Sequence, residues 1–271
     1  MRERVVEVEG IPTWVRERPG DGTPVVFWHG NPTDADDWLP FMERLDRRSF
    51  AADLPGFGRS AAPGKERFDY SIDAYGRWAE ALLDKLGIER YSLVVHDWGA
   101  IGLLLALAQP DRVERIVLFN TVPLGVSYRW HYVARLFWQR RPAGEVMNAL
   151  ARGPAVSLLV RQARPGLKAM PQDFRKRINR NLVRKATKDA ILALYRSAPT
   201  AKLDEAGRDL ERLGAPALFL WGTEDPYIGT EDGRGMAARM PGATFEEVAS
   251  AGHWPWIDRP ELIDRAVEFL S

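Results

Sequence analysis

The segment Ser92-Leu93-Val94-Val95-His96-Asp97-Trp98-Gly99-Ala100 constrains this chain more than any other. An apolar run of strand character ends on His96-Asp97-Trp98-Gly99, and an apolar run of helix length follows at once. A strand apolar on both sides belongs in the middle of a parallel sheet covered on both faces. A carboxylate at its tip must be paired or hydrogen-bonded, because burying a bare ion is costly. Asp97 is therefore either a cap for the helix that begins at Trp98 or a side chain held at a sharp strand-to-helix turn in order to react.

The rest of the chain repeats that rhythm. Val5–Glu9 and Thr13–Arg18 read as strands joined by a Gly10-Ile11-Pro12 turn. Val25–Trp28, Phe50–Leu54, Tyr91–His96, Ile116–Phe119, Pro216–Trp221 and Thr244–Val248 are further short strand-like runs. Ile72–Leu86, Gly99–Ala108, Glu231–Met240 and Pro260–Leu270 carry helical spacing between them. Alternation of this kind predicts an α/β fold: a mostly parallel sheet covered by helices on both faces. The interval 124–200 breaks the pattern, with helix-like stretches and no clear strand. It predicts a helical insertion after the sixth strand, with 1–123 and 201–271 forming the core.

Charge divides along the same line. Residues 124–200 hold 16 Lys+Arg and 3 Asp+Glu, whereas the remainder holds 22 and 34. The two parts should attract each other and expose a solvated Arg face; a rival reading has the insertion drawing anions toward a cleft. With a whole-chain net charge of +1 the protein has no overall basic bias, and no nucleic-acid partner is expected. No cysteine occurs, so disulfides, thiolate metal sites and a Cys nucleophile are excluded. The start, MRERVVEVEG, lacks an apolar leader, and no apolar run is long enough to span a bilayer. A cytoplasmic protein is expected. Four scattered His residues suggest no metal site, and no phosphate-binding Gly loop follows the first strands. No cofactor is expected.

Three further motifs join Asp97. His29-Gly30-Asn31-Pro32 follows a buried strand, where Gly30 permits close backbone approach and Asn31 offers a neutral amide. In enzymes with a strand-to-helix nucleophile turn, this loop supplies one oxyanion N–H. Trp221-Gly222-Thr223-Glu224-Asp225 ends another strand in acids, where open α/β sheets place ligands. Ala251-Gly252-His253-Trp254 follows the last strand. Of the four histidines, only His253 has the position of a base; His29 and His96 adjoin tight turns and read as structural. The order nucleophile, acid, histidine is that of the hydrolases built on this turn.

HGNPT (His29–Thr33) and VVHDWG (Val94–Gly99) resemble the signatures of the haloalkane dehalogenases, within the α/β-hydrolase fold. The resemblance implies Asp97 as nucleophile, His253 as base, Asp225 as the acid behind it, and the insertion 124–200 as a helical cap. It implies Asn31 and Trp98 as the two halide donors, with their backbone N–H groups holding the oxyanion. A large subgroup with Glu after the Ile116–Phe119 strand is excluded, since Asn120 and Thr121 stand there. The implied reaction turns a haloalkane and water into alcohol and halide through an ester on Asp97. The implied partners are thus a small apolar halogenated substrate, water and the halide product, with neither membrane nor nucleic acid; a homo-oligomer is left open.

Epoxide hydrolases share the plan and open the ring with cap tyrosines. Tyr195, in Leu194-Tyr195-Arg196, resembles their second one and is a candidate cap donor, with Tyr128 or Tyr132 as a first. The substrate is then an epoxide. Ordinary cap packing of Tyr195 is the alternative, and Asn31 stands where those enzymes usually carry an aromatic residue. Trp98 argues against fluoroacetate dehalogenases, which place Arg after the nucleophile. A non-catalytic ligand-binding protein on the same fold is the remaining class. From the cap, Trp130, Phe137 and Trp138 are expected to contribute apolar walls.

Overall fold

The computed structural model describes residues 1–150, 156 and 160–271. Eight strands form one sheet: β1 (Arg2–Val8), β2 (Ile11–Arg18), β3 (Asp21–Trp28), β4 (Arg47–Ala52), β5 (Tyr91–Asp97), β6 (Val113–Thr121), β7 (Ala217–Gly222) and β8 (Ala243–Val248). Their spatial order is β1-β2-β4-β3-β5-β6-β7-β8. The pairs β1–β2 and β2–β4 are antiparallel; every other pair is parallel.

The apolar runs are central strands because they have something to bury on both sides. Each residue of β5 and of β7 is buried. Along β3, Val26 and Trp28 enter one hydrophobic cluster, whereas Val25 and Phe27 enter the other, as the two-residue period of a strand requires. Helices close each cluster. In the Ile72–Lys85 helix, Ile72, Tyr75, Ala79 and Leu82 recur at helical spacing and are buried together with Trp78 and Leu83. Ser71 caps its first turn by accepting the Ala74 N–H at 3.1 Å, a contact worth about 1 kcal/mol. Gly87, at φ 67°, turns the chain away at the other end.

One turn differs from expectation. Glu9 and Gly10, both at positive φ, form the two-residue hairpin between β1 and β2. Ile11 and Pro12 are the first residues of β2, with Pro12 opposite Glu7. The hydrophobic pattern hid this, because Pro reads as a turn residue yet is tolerated as a strand begins.

Between β6 and β7 the described residues form helices and no strand; the longest are Gln172–Val183 and Lys185–Ser197. This insertion covers the carboxyl end of the sheet. Among the described residues, three of its arginines make ion pairs to the core: Arg164 with Asp258, Arg177 with Asp34 and Asp37, and Arg180 with Asp34. No helix among the described residues is long and apolar enough to cross a membrane.

Candidate active site

The chain leaves β3 to one side for β4 and later returns to the other side for β5. The crevice beyond the carboxyl ends of β3 and β5 is thus the switch point where such sheets bind ligands. The Asn31 loop rises from β3 and Asp97 ends β5.

Asp97 has φ 48° and ψ −120°, a strained conformation for a side chain with a Cβ. The turn fits only because its neighbours are small. A Cβ on Gly99 would stand 2.2 Å from the Trp28 carbonyl oxygen. One on Gly30 would stand 2.4 Å from the Asp97 Cβ. The backbone N–H of Asn31 donates to Asp97 Oδ2 at 2.7 Å. Burial pushes the Asp97 carboxyl above its ordinary pKa, opposed by His253 and by the backbone N–H groups of Asn31 and Trp98. Asp97 is therefore no plain helix cap: its side chain makes no capping bond to the following turn.

His253 points Nε2 toward Asp97 Oδ1 at 3.9 Å and holds Asp225 Oδ2 through Nδ1 at 2.8 Å. That gap to Asp97 is too long for a hydrogen bond, so the two groups flank a place for a third. Burial alone would lower His253; Asp225, and then Asp97, outweigh it and raise the ring above its ordinary value. Asp225 is fixed in turn. Its Oδ1 accepts the Tyr227 N–H at 2.8 Å and its Oδ2 accepts the Asn120 amide at 2.7 Å.

Trp98 and Asn31 meet beside the nucleophile. The buried Trp98 indole N–H faces the Tyr195 hydroxyl, as does the Asn31 side chain, and Asn31 Oδ1 is buried without a hydrogen bond. The Tyr195 ring stands edge-on to that of Trp98 at 5.0 Å. Burial and then the Asp97 carboxylate push the Tyr195 phenol well up, against the pull of Trp98 and Asn31. A cavity of about 60 Å³ opens between Asp97, Asn31 and His253 below and Trp130, Trp138 and Tyr195 above.

Of the six residues singled out in the sequence, Asp97, Asn31, His253 and Tyr195 line this cavity, Asp225 stands behind His253, and Trp98 lies outside the lining, its ring packed against those of Trp130 and Tyr195. Phe137 does not line it either: it is an outward-facing residue, 37% exposed, whereas Trp130 and Trp138 do line the cavity. Of the tyrosines offered as a first cap donor, Tyr128 spends its hydroxyl on the Tyr227 carbonyl, and Tyr132 bonds Gln162 at the surface. His29 and His96 are structural. His29 accepts the Leu54 N–H at Nε2, and His96 Nε2 meets the His253 carbonyl at 2.7 Å.

Three residues at the site went unassigned in the sequence. Asn120 bridges β6 to Asp225, and its Oδ1 accepts the Gly222 N–H at 2.8 Å; its place at the end of β6 was the available signal. Tyr227 packs edge-on against the His253 ring at 5.1 Å. His131 lines the cavity, pushed down to about 4 by burial and then by His253. Nothing in the local pattern marks either of these two. Among the described residues no His, Cys, Asp and Glu side chains gather as metal ligands do.

The model of the alpha/beta hydrolase fold family matches residues 23–260. A haloalkane dehalogenase of Mycolicibacterium paratuberculosis is 31% identical, aligned over 94% of this chain and 86% of its own. One from Psychrobacter cryohalolentis is 28% identical over 95% of this chain and 86% of its own. Among solved structures, a haloalkane dehalogenase loop variant from Bradyrhizobium elkanii superposes with a TM-score of 0.83 over 98% of this chain and 95% of its own, at 23% identity. The fold, the order of the motifs and these relatives agree: the chain belongs to the α/β-hydrolase fold family, among the haloalkane dehalogenases.

Proposed function

We propose that the protein hydrolyses short haloalkanes to alcohol and halide, with residues 1–123 and 201–271 as catalytic core and 124–200 as cap. The observation that carries this reading is the buried Asp97 carboxylate, met by the Asn31 N–H at 2.7 Å and flanked by His253, with the Trp98 and Asn31 side chains converging on the Tyr195 hydroxyl nearby. Side-chain donors gathered beside a buried nucleophile are placed to stabilise negative charge as it forms.

Asp97 attacks the carbon that bears the halogen, in line with the departing group. The carbon–halogen bond breaks as an ester to Asp97 forms, and the halide leaves with the electron pair. Charge builds on the halogen only as this happens, so the Trp98 and Asn31 donors favour the transition state over the neutral substrate. His253 Nε2 then takes a proton from water, which attacks the ester carbonyl. The N–H groups of Asn31 and Trp98 steady the oxyanion, and Asp225 holds the His253 tautomer and balances its positive charge; the intermediate then breaks its bond to the alkoxide, which takes the proton from His253 and leaves as the alcohol, and Asp97 is restored. A carboxylate suits this chemistry because its ester is hydrolysable, whereas a serine would end as an ether. The small cavity and its indole walls fit a short apolar chain.

A second reading has one observation in its favour. Tyr195 is buried, and its phenol, pushed well up, keeps its proton beside the pair that would face the leaving atom. Such a hydroxyl can protonate the alkoxide of an opened epoxide. The test is halide release from a panel of short 1-bromoalkanes, set beside diol formation from 1,2-epoxides, with Asp97→Ala as control. Halide release that vanishes in the control supports the dehalogenase reading. Diol formation without halide release overturns it in favour of the second.

A further inference from the structure

The loop that carries Asn31 is held from the insertion as well as from the core. Three polar side chains on one face of the Gln172–Val183 helix grip it. Arg177 Nη1 donates to Asp34 Oδ1 at 3.0 Å and lies 2.9 Å from Asp37 Oδ1. Arg180 Nη2 donates to Asp34 Oδ2 at 3.0 Å. Asn181 Nδ2 donates to the Pro32 carbonyl at 3.0 Å, one residue beyond Asn31. The Asp34 and Asp37 side chains are 0% exposed and that of Arg177 only 17%. Against burial, Arg177 holds the Asp34 carboxyl down to about 2, and the buried carboxylate becomes costly when that cation is removed; Asp37, where burial outweighs Arg177, is pushed up to about 7.

The same insertion grips the histidine loop. The Ala163 carbonyl accepts the His253 N–H at 2.9 Å. Arg164 donates to Asp258 Oδ1 at 2.8 Å, and Asp258 Oδ2 accepts the Gly252 N–H at 2.9 Å. Phe174, one turn before Arg177 and beneath its guanidinium at 4.9 Å, packs edge-on against Trp254 at 5.2 Å. One helix therefore touches both loops between which the reaction takes place.

We infer that Arg177, with Asn181, is a positioning residue: it fixes the 29–37 loop so that the Asn31 donors stay in register with Asp97 and the cap and catalytic core act as one template. The inference depends on the dehalogenase reading only for what Asn31 does once held. A loop that drifts by an ångström costs on the order of 100-fold in rate without loss of the fold.

The experiment compares the parent with Arg177→Met, Arg177→Lys and Lys185→Met. Lys185 pairs with Asp189 on the exposed face of the insertion, so its variant removes the same charge away from the loop. Two readouts are taken: amide hydrogen exchange of the 29–38 segment, and kcat and KM for halide release from a 1-bromoalkane. Arg177→Met should speed exchange in 29–38 by about 10-fold or more and lower kcat by about 10- to 100-fold, with a smaller change in KM. Arg177→Lys should recover part of both, since an ammonium meets one carboxylate but lacks the fork of a guanidinium. Lys185→Met should match the parent. If Arg177→Met does not fold, Arg177→Met/Asp34→Asn/Asp37→Asn removes the charges together and must show the same loosening. Unchanged exchange in 29–38 overturns the inference, and so does faster exchange with unchanged kcat. A parent that releases no halide overturns the dehalogenase reading instead, and exchange alone then decides whether Arg177 holds the loop.

Discussion

Asp97 at the tip of β5, with Asn31 and His253 on loops of the core sheet, faces a cavity that Tyr195, Trp130 and Trp138 reach from the insertion. The core side is built from backbone constraint. Asp97 sits at a positive φ between two glycines that no larger residue can replace, and its oxygen is met by a backbone N–H. The insertion side is built from packing. Trp98 and Trp130 stack at 5.3 Å, and the Tyr195 ring lies 4.8 Å from that of Trp130 and 4.6 Å from that of Trp138. Backbone constraint fixes atoms that must react; packed rings shape the space around them and tolerate replacement more readily. Changes on the core side should therefore abolish turnover, and changes on the insertion side should tune it.

The sharpest break of this contrast is at the nucleophile. Asp97→Ala should lower kcat by about 10⁴-fold or more, measured as halide release under saturating bromoalkane. Next comes the base. His253→Phe should release about one halide per protein in a burst and then stall, leaving the alkyl group on Asp97 as a mass increase by mass spectrometry. Turnover that continues at the parent rate would remove His253 from the account. Trp98→Phe takes away the indole donor, and kcat should fall by about 100- to 1000-fold with weaker bromide binding. On the insertion side, Tyr195→Phe should change bromoalkane turnover by less than about 10-fold; a larger loss would move Tyr195 into the reacting machinery and blur the division drawn above.

The pH response sharpens the same comparison. His253 must be neutral to accept the proton of water, so kcat should fall as the pH drops through its pKa, which Asp225 holds above the ordinary 6.5. Asp225→Asn removes the charge that raises the ring and leaves the burial that lowers it. The acid limb should then move to lower pH while the plateau falls. A limb that moves upward, or stays in place, would contradict the role given to Asp225.

The two sides also differed in how far they could be read beforehand. The strand-to-helix turn at Asp97, the HGN loop and the late histidine announce themselves because backbone geometry demands particular residues at fixed offsets. The position of Tyr195 depends on how the insertion's helices pack on the core, which no local spacing records. Asn120 illustrates the middle case. Its place after β6 was visible, but its two bonds, to Asp225 and to Gly222, arise from the neighbouring strand β7. Charge asymmetry was legible as attraction between cap and core, yet not that Arg177 would carry it onto the Asn31 loop. The turn at Glu9-Gly10 was misplaced for a simpler reason: Pro12 signals a break in sequence, but occupies a strand opposite Glu7.

A single turnover in ¹⁸O-labelled water decides whether Asp97 itself forms the bond to carbon. With protein in excess over a 1-bromoalkane, the account predicts alcohol that carries ordinary oxygen, donated by Asp97, and ¹⁸O appearing in the peptide that contains Asp97. Alcohol labelled with ¹⁸O in that first turnover, with Asp97 unlabelled, would mean that water attacks the carbon directly and would contradict the account.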